Sequence, residues 1–315
     1  MTSHGEPTVD RAPHGGDAAA VARLIGVSLS SLIDLSASLN PFGPDVLPAV
    51  RSSLDVVARY PDVVDAEMRM ATAIGVDPGL LVLTNGGAEA IALVAAVDPA
   101  GYVVDPEFSL HRRHLELATR GVPRFIGETA GRWRSNPSSP LGMLAGADEA
   151  AHVWDEAFYP LATGTWTRGD ESSWRLGSLT KLWSCPGLRL GYVIAPDEER
   201  ALAIRRQQPR WSVNGIAAAI IEPMLAVTDL GGWCQRIGEA RSDFAAALSA
   251  LGYATTATDA NWVLVERPGL REALIDERVV VRDCTSFGLP GVHRVAVPEP
   301  HLIEPVLTAF ARVSS

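Results

Sequence analysis

The stretch SLTKLWSCPGLRLGY, residues 178–192, decides the fold of this protein. It places Lys181 directly after two hydroxyl side chains, Ser178 and Thr180, and eight residues before Arg189. A lysine that bonds to an aldehyde must spend time uncharged, which burial and nearby positive charge favour. Hydroxyl donors and a fixed arginine are what a phosphate group needs. The stretch therefore predicts a lysine that carries an aldehyde cofactor, with the two hydroxyls and the arginine at its phosphate.

The same stretch resembles the pyridoxal-phosphate (PLP) attachment segment of the class I and II aminotransferases, in which Ser-x-Ser/Thr-Lys precedes Gly-Leu-Arg-x-Gly-Tyr. The resemblance implies the PLP fold type I, an α/β fold. Its large domain has a mainly parallel, seven-stranded-type sheet between helices, and a smaller α+β domain follows at the C-terminal end. The resemblance also implies that Lys181 is catalytic, holding PLP and then moving a proton.

Composition limits the possible function classes. The chain has 315 residues, of which 47% are hydrophobic and 20% charged, and its net charge is −10. An acidic chain without a basic patch argues against nucleic-acid or anionic-membrane binding, and no apolar stretch reaches the length of a membrane helix. Three widely spaced cysteines indicate reduced thiols rather than disulfides or a zinc site. We therefore expect a cytoplasmic enzyme that acts on a small molecule.

Short apolar runs alternate with amphipathic stretches, which is typical of a parallel α/β sheet. The predicted strands lie at Leu80–Leu83, Tyr102–Val104, Val153–Trp154, Arg175–Leu176 and Tyr192–Ala195. After about residue 225 the pattern changes to a long helix, Gly232–Leu251, followed by strands near Trp262–Val265, Val279–Val281 and Arg294–Val297 and a helix near His301–Val313. We expect a mobile N-terminal arm (1–16), a segment packing near the active site (17–45), a large PLP-binding domain (46–225) and a small domain (226–315).

Residues 81–90, Leu-Val-Leu-Thr-Asn-Gly-Gly-Ala-Glu-Ala, read as a strand that turns through glycines into a helix. Helix N-termini present free N–H groups to anions, so a phosphate could bind at Gly87 and Ala88. Taken alone, the segment is better explained as a tight turn, because the GxGxxG and GxxxxGK(S/T) fingerprints are both absent. Its resemblance to the Asn-Gly-x-x-Glu-x turn of the same family favours the phosphate site.

The segment His-Val-Trp-Asp-Glu-Ala-Phe, residues 152–158, places Asp155 just past a buried run, where active-site groups of α/β sheets collect. An ionised carboxylate there can keep the pyridine nitrogen of PLP protonated, which the cofactor needs in order to accept electrons. The alternative is an Asp-Glu pair that caps the following turn. The family pattern Asp-Glu-Ala-Tyr/Phe supports Asp155 as a catalytic and cofactor-binding residue.

Two further cofactor contacts are implied by the resemblance. His111 aligns with an aromatic position that stacks on the cofactor ring; a metal pair with His114 is the alternative, but no third ligand is evident, so we expect no metal. Tyr60, in Arg-Tyr-Pro-Asp, resembles a tyrosine that reaches the PLP phosphate of the neighbouring subunit, which implies a homodimer. Otherwise Tyr60 is an interface or core tyrosine.

Four residues are implied to bind substrate. Asn40 and Gly43, in Asn-Pro-Phe-Gly-Pro, match an N-terminal segment that lies over the substrate, although a simple turn would also explain them. Arg282 and Arg294 resemble two family arginines that hold the anionic groups of the substrate, for which the planar guanidinium fork is suited. As isolated residues they could equally be surface arginines.

The sequence departs from the family at two cofactor positions. Ser139 stands where the family has an asparagine that donates to the phenolate oxygen of PLP, and Phe158 replaces a tyrosine that is the second donor. Both are cofactor-binding positions here. The span between His111 and Asp155 is also shorter than in the family.

The resemblance runs from Leu35 to Val297, and the branch it indicates contains the cobalamin-biosynthesis aminotransferases, threonine-phosphate decarboxylases and histidinol-phosphate aminotransferases. The implied substrate is a small phosphorylated or carboxylated amine or amino acid, with a 2-oxo acid as co-substrate for transamination. L-threonine-O-3-phosphate decarboxylation, histidinol-phosphate transamination and a non-catalytic PLP-fold protein remain as alternatives.

Overall fold

The structure is a computed structural model that describes residues 15–119 and 131–314. Most of the predicted N-terminal arm lies outside these ranges, and the predicted domain boundaries stay a prediction. The described strands are β1 (Ile33–Asp34), β2 (Leu81–Thr84), β3 (Gly101–Val103), β4 (Gly131–Ser135), β5 (Val153–Asp155), β6 (Trp174–Gly177), β7 (Gly191–Ile194), β8 (Ala254–Thr256), β9 (Trp262–Glu266), β10 (Val279–Val280), β11 (Arg282–Asp283) and β12 (Val292–Ala296).

Helices flank these strands throughout the described chain. They are α1 (Ala18–Ile25), α2 (Leu47–Ser52), α3 (Val64–Ile74), α4 (Gly87–Val97), α5 (Ser109–Ala118), α6 (Tyr159–Thr163), α7 (Leu179–Leu182), α8 (Glu198–Gln207), α9 (Gly215–Ala219), α10 (Ile221–Ala226), α11 (Leu230–Ala250), α12 (Leu270–Asp276) and α13 (Ile303–Val313). Helix α11 begins before the predicted Gly232 because the Asp229 carboxylate accepts a hydrogen bond from the Gly232 amide and caps the first turn.

The large sheet has the strand order β2-β7-β6-β5-β4-β3. Strands β3 to β6 pair in parallel, and β7 runs antiparallel to both of its neighbours. The described residues thus contribute six strands to a sheet expected to be of the seven-stranded type, and residues 120–130 are not described. Because parallel strands end at a common edge, Ser135, Asp155 and Gly177 finish together there, and this edge carries the candidate site.

Alternate residues of the large sheet face two separate cores, as a pleated strand requires. Leu81 and Leu83 of β2 pack in one core, whereas Val82 packs in the other. A third core joins α11, α13 and the antiparallel sheet β11-β12-β9-β8, around side chains such as Phe244 and Phe310. The sequence therefore builds two sheets with their own apolar interiors.

Two features of the fold were not anticipated. Strand β4 escaped prediction because charged Arg132 and Arg134 alternate with its buried Trp133, which hides the apolar pattern. Strand β1 forms a parallel pair with β10, joining Ile33 to Val279, so the chain preceding the large sheet is bound to the C-terminal part. In the described residues no single helix is long and apolar enough to cross a membrane, although the bent pair Gly215–Ala226 and Leu230–Ala250 passes by length and composition alone.

Candidate active site

A cavity of about 230 Å³ opens at the carboxyl-end edge of the large sheet. Most of the predicted site residues line it: Gly87, Ala88, Ser139, Asp155, Phe158, Ser178, Thr180, Lys181, Arg189 and Arg294. Five predicted site residues are absent from its lining: His111, Tyr60, Asn40, Gly43 and Arg282. Folding therefore brings together residues from β5, the start of α4, the α7 segment and β12.

Lys181 lies in the short helix α7, which follows directly from β6. Its Nζ donates a 2.7 Å hydrogen bond to the carbonyl oxygen of Ala37. Burial, together with the positive charges of Arg294 and Arg189, lowers the pKa of Lys181 to about 8. A useful fraction of this amine is therefore uncharged near neutral pH, as a nucleophilic or proton-accepting lysine requires.

Lys181 is also the only lysine among the 315 residues, which otherwise use arginine for their basic side chains. This compositional signal was missed in the sequence reasoning. An aldehyde cofactor can form a covalent bond with no other side-chain amine of the chain.

One end of the cavity is built to hold an anion. Gly86 has a positive φ of 78°, and a Cβ atom added there would lie 2.4 Å from Nη2 of Arg189. Only glycine allows the guanidinium to approach the backbone this closely. Helix α4 starts at Gly87, so its first N–H groups have no partner within the helix and face the same space as Arg189 and Ser178.

Thr180 lines the cavity, but its hydroxyl is committed to the main chain. Oγ1 donates to the carbonyl oxygen of Leu190 at 3.1 Å and accepts from the Leu190 amide at 3.2 Å. A hydroxyl has one proton, so none is left for a phosphate. In this structure Thr180 therefore holds the turn that carries Arg189, and its role as a phosphate donor stays a prediction.

Asp155 ends β5 with both carboxylate oxygens engaged. Oδ1 accepts from the Ala157 amide at 3.0 Å, and Oδ2 lies 2.9 Å from Nε2 of His111. His111 has no exposed surface, whereas Phe108 and Leu110 of the same segment line the cavity. The His111 ring is therefore buried against Asp155, and its stacking on the cofactor ring stays a prediction.

Glu156, next in sequence, has a different environment from Asp155. Its side chain is fully buried and Oε1 accepts from the Arg168 amide at 2.7 Å. Burial raises the pKa of Glu156 to about 7, in spite of that hydrogen bond. The two adjacent carboxyls thus differ, with only Asp155 lining the cavity.

The two predicted substrate arginines are separated by the structure. They are opposite one another in the β11–β12 pair, yet only Arg294 lines the cavity. Arg294 packs on Trp262, and its Nη2 donates to the carbonyl oxygen of Ser36 at 3.5 Å. Arg282 instead donates to the Ser286 hydroxyl at 2.9 Å. The guanidinium of Arg282 thus lies outside the cavity lining, and its role as a substrate ligand stays a prediction.

Asn40 and Gly43 also have structural roles in place of the predicted substrate contacts. The side-chain Nδ2 of Asn40 donates to the Leu182 carbonyl oxygen at 2.9 Å, and its Oδ1 accepts from the main-chain N–H of Phe42. A Cβ at Gly43 would lie 2.7 Å from the Ser184 hydroxyl. In this structure these residues attach the N-terminal segment to the turn that carries Lys181, and their contacts with the substrate stay a prediction.

Tyr60 lies outside the cavity of its own chain. Its side chain is 76% exposed and stacks on Trp211 with ring centroids 4.5 Å apart. The exposed apolar side chains Leu54, Val57 and Val64 belong to the same part of the sequence. Within one chain, Tyr60 therefore makes no contact with the Lys181 cavity.

The profile of the aminotransferase class I and II family matches residues 135–310. This chain belongs to the class I and II aminotransferases. The threonine-phosphate decarboxylase of Salmonella typhimurium is 30% identical over 95% of this chain and 96% of its own length. A histidinol-phosphate aminotransferase of Methylococcus capsulatus is 28% identical over 91% of each chain.

The fold prediction is confirmed by solved structures. The histidinol-phosphate aminotransferase of Sinorhizobium meliloti, solved in complex with pyridoxal-5'-phosphate, matches with a TM-score of 0.75 at 19% identity, covering 100% of this chain and 98% of that one. The protein is a PLP-dependent enzyme of the aminotransferase family, as the sequence predicted.

The residues of this aminotransferase-family cavity fit PLP chemically. The anion end has a glycine turn with a closely packed arginine, the lone lysine has a lowered pKa, and a carboxylate lies on β5. These are donors for a phosphate, an amine for an aldehyde and an acceptor for a ring nitrogen. Among residues 15–119 and 131–314, no group of three or more His, Cys, Asp or Glu is placed to hold a metal ion.

Proposed function

We propose that this enzyme uses Lys181 and PLP to act on a small phosphorylated or carboxylated amino compound, with L-threonine O-3-phosphate as the first candidate substrate and decarboxylation as the reaction. The observation that carries the proposal is that Lys181 and Arg294 line one cavity, and the charge of the arginine contributes to lowering the pKa of the lysine. An amine and an anion-binding guanidinium are thus available to one substrate. The Salmonella decarboxylase relative supports the choice of reaction.

The roles of the protein groups follow from their surroundings. When bound, PLP supplies an electron sink that stabilises negative charge on the substrate carbon. Gly87, Ala88, Ser178 and Arg189 would hold its phosphate, and Asp155 its ring nitrogen. With a pKa lowered to about 8, the Nζ of Lys181 can accept and return a proton near neutral pH.

Arg294 is assigned to the anionic group of the substrate. Its Nε atom is buried without a hydrogen-bond partner among the described residues, and its side chain is 7% exposed. A buried donor of this kind is costly unless an acceptor occupies the site, and a carboxylate or phosphate provides one. Packing on Trp262 holds the guanidinium in place for that acceptor.

The test is mass spectrometry of products from PLP-loaded protein given L-threonine O-3-phosphate without any 2-oxo acid. Decarboxylation produces carbon dioxide and aminopropanol phosphate under these conditions. The Lys181→Met variant is the control and should give no product. Absence of the amine product from wild type, with the cofactor demonstrably on Lys181 after borohydride reduction, would overturn decarboxylation of this substrate.

Transamination is the second candidate reaction, because the Methylococcus capsulatus relative is a histidinol-phosphate aminotransferase. It requires 2-oxoglutarate and forms glutamate in equal amount to a keto or aldehyde product. Adding histidinol phosphate and 2-oxoglutarate to the same assay distinguishes the two reactions. Glutamate formation that depends on both additions, with no aminopropanol phosphate in the first assay, would favour this alternative.

We also propose that the enzyme is a homodimer in which Tyr60 completes the active site of the partner. The support is that Tyr60 is 76% exposed, lies outside the cavity of its own chain and belongs to a segment with other exposed apolar side chains. Mixing Tyr60→Ala with Lys181→Ala chains should restore activity, since one site of each heterodimer then has both residues. Heterodimers that form but stay inactive would contradict the shared site.

A further inference from the structure

The rings of Tyr60 and Trp211 form a stacked pair on the surface of the chain. Their centroids are 4.5 Å apart and their planes are 28° from parallel. Both residues are exposed, at 76% and 55%. An exposed tyrosine without such a neighbour samples several rotamers, and an aromatic stack restricts that freedom. Trp211 therefore fixes the direction in which the Tyr60 side chain points.

Trp211 has an unusual backbone conformation. Its φ is 59°, in the left-handed region that bulky side chains seldom adopt. Such a conformation costs free energy and persists only where the surrounding chain enforces it. Two residues later, Val213 is buried in the same core as Leu81 and Leu83, which fixes the position of this part of the chain. The fold thus accepts local backbone strain and leaves the indole exposed against Tyr60.

The segment 208–214, Gln-Pro-Arg-Trp-Ser-Val-Asn, carries Trp211 and is bound to the glycine turn of the anion site. The Ser212 hydroxyl donates to Oε2 of Glu89 at 3.1 Å, and Nε2 of Gln208 donates to the same oxygen at 3.2 Å. This oxygen also accepts from the main-chain N–H of Asn85 at 2.6 Å. Hydrogen bonds to a carboxylate are stronger than neutral ones. One carboxylate oxygen therefore connects the segment 208–214 to the turn that begins α4.

The other end of the segment 208–214 is bound to the second wall of the anion site. Nδ2 of Asn214 donates to the carbonyl oxygen of Leu188 at 2.9 Å, and Leu188 directly precedes Arg189. Oδ1 of Asn214 accepts from the Ala217 main-chain N–H at 2.8 Å and caps α9. The segment that carries Trp211 is thus held by both the glycine turn and the Arg189 turn.

The chain that leads into Tyr60 packs against the same structure. Gly215 is the first residue of α9, and a Cβ atom added there would lie 3.2 Å from Cγ2 of Val56. Val56 belongs to the turn Leu54–Ala58, which precedes Tyr60. The two stretches that carry the stacked rings are therefore in contact through their backbones as well as through the rings.

We propose that Trp211 is a positioning residue of the shared active site: the segment 208–214, held by Glu89, presents the indole on which Tyr60 is stacked for the cofactor phosphate of the partner. The inference rests on the proposed homodimer. Neither Trp211 nor Tyr60 lines the cavity of its own chain, so the effect of Trp211 belongs to the partner's site. Because Glu89 also holds the glycine turn, one carboxylate supports the chain's own phosphate site and its contribution to the other.

The first test examines the stack in cofactor-free protein. Labelling with 5-fluorotryptophan gives each of the eight tryptophans a fluorine-19 NMR signal, and the signal that is missing in Trp211→Leu belongs to Trp211. Tyr60→Ala should shift this signal, because the neighbouring ring is lost, and Ser212→Ala should shift or broaden it, because the segment is released from Glu89. The control Leu202→Ala, in α8, should leave it in place. A Trp211 signal that Tyr60→Ala does not move would overturn the stack.

The second test measures PLP affinity by absorbance titration. Tyr60→Phe should weaken binding by about tenfold, because one hydrogen bond to a charged group is lost. Trp211→Leu should weaken it by about fivefold, because Tyr60 must then be ordered when PLP binds, and Trp211→Phe should recover most of the affinity. If Trp211 acts through the Tyr60 hydroxyl, the double variant binds PLP no more weakly than Tyr60→Phe alone. Losses that multiply in the double variant would overturn the positioning role.

Mixed dimers of differently tagged chains show in which site Trp211 acts. When Trp211→Leu is paired with Lys181→Ala, the intact Lys181 receives Tyr60 from a chain with Trp211, so PLP affinity should equal that of wild type. When wild type is paired with the Trp211→Leu/Lys181→Ala double variant, affinity at the intact Lys181 should fall about fivefold. Borohydride reduction and mass spectrometry of each chain measure PLP on Lys181. The opposite pattern would place the effect of Trp211 in its own chain and overturn the proposal.

The outcomes separate this inference from the proposed homodimer. If Tyr60→Phe binds PLP as tightly as wild type, Tyr60 does not reach the partner's phosphate, and the shared site and the role of Trp211 both fail. If Tyr60→Phe weakens PLP binding while Trp211→Leu, shown by circular dichroism to be folded, binds PLP like wild type, the shared site stands and the role of Trp211 is wrong. Where Trp211→Leu does not fold, Ser212→Ala serves for the same comparison, because it leaves the indole unchanged.

Discussion

The Nζ of Lys181 donates a hydrogen bond to the main-chain carbonyl oxygen of Ala37, 144 positions earlier in the sequence, at 2.7 Å. Next to it, the main-chain N–H of Asn40 donates to the Lys181 carbonyl oxygen at 3.1 Å, and the side-chain amide of Asn40 donates to the Leu182 carbonyl oxygen. The N-terminal segment is thus attached to the lysine turn through both its main chain and its side chains. This arrangement buries the lysine and is one reason for its lowered pKa.

The pKa of Lys181 predicts a pH-dependent stability. Its value is about 8 in the folded protein against an ordinary 10.5, so between these values the unfolded chain binds the proton and the folded chain does not. The contribution of Lys181 to the free energy of unfolding therefore becomes more favourable as the pH rises through that window. We expect Lys181→Met to be more stable than wild type at pH 7 by about 1 kcal/mol, after loss of the Ala37 hydrogen bond.

Urea unfolding of the cofactor-free proteins at several pH values measures this difference. The advantage of Lys181→Met should shrink as pH rises from 8 towards 10.5 and then reverse. If the difference stays constant across this range, folding does not lower the pKa of Lys181.

The close approach of Gly86 and Arg189 predicts that Gly86→Ala disrupts the phosphate site. The new methyl group would meet Nη2 at 2.4 Å, and alanine is strained at a φ of 78°. We expect PLP affinity to fall by at least about tenfold together with a loss of about 1–3 kcal/mol in stability. Gly238→Ala, in α11 with nothing within 4 Å of its Cβ, is the control and should leave both unchanged or slightly raise stability. If Gly86→Ala binds PLP with unaltered affinity, Arg189 does not bind the phosphate.

Substitutions of Ser178 and Thr180 are predicted to have different effects, although both residues carry hydroxyl groups in one turn. Thr180→Val removes two hydrogen bonds to Leu190 and should cost about 1–3 kcal/mol in stability, with a small effect on the affinity of the folded protein for PLP. Ser178→Ala should weaken PLP binding with little change in stability. Thermal unfolding of the cofactor-free protein and absorbance titration with PLP separate the two effects. If Thr180→Val instead weakens PLP binding with little loss of stability, Thr180 is a phosphate donor.

Arg294 and Arg282 form a matched pair for testing the anionic subsite. Both are buried, at 7% and 5% exposure, and both pack on an aromatic ring, but only Arg294 lines the cavity. Arg294→Gln should lower kcat/KM by about a hundredfold, mainly through KM, because a charge-assisted contact to the substrate is lost. Arg282→Gln should lower it by less than about tenfold. Steady-state kinetics measure kcat/KM for both variants. Equal losses would show that Arg282 also binds the substrate.

Sequence reasoning performed best where function depends on short chain segments. The lysine segment and the glycine turn before α4 could be read from the sequence because a few adjacent residues determine their local geometry. The alternation of apolar strands and amphipathic helices was readable for the same reason. Strand β4 was missed because Arg132 and Arg134 interrupt its apolar pattern, although Arg134 is buried.

Residue by residue, the tertiary structure decided what each polar group does. Asn40, Thr180 and Arg282 have the chemistry of cofactor or substrate ligands, and in this structure they donate hydrogen bonds to Leu182, Leu190 and Ser286. Two of these partners lie within ten residues, yet the choice depends on how distant segments close around the cavity. The contact between His111 and Asp155 was not predicted, because it joins residues 44 positions apart.

The sequence by itself determined the family and the cofactor, and it predicted the lysine that carries the cofactor, because these depend on residue types at fixed spacing. Only the tertiary structure decided which side chains face the cavity and which hold those that do. A polar atom has few hydrogen bonds to give, and whether it gives them to a ligand or to the protein depends on contacts between residues more than a hundred positions apart.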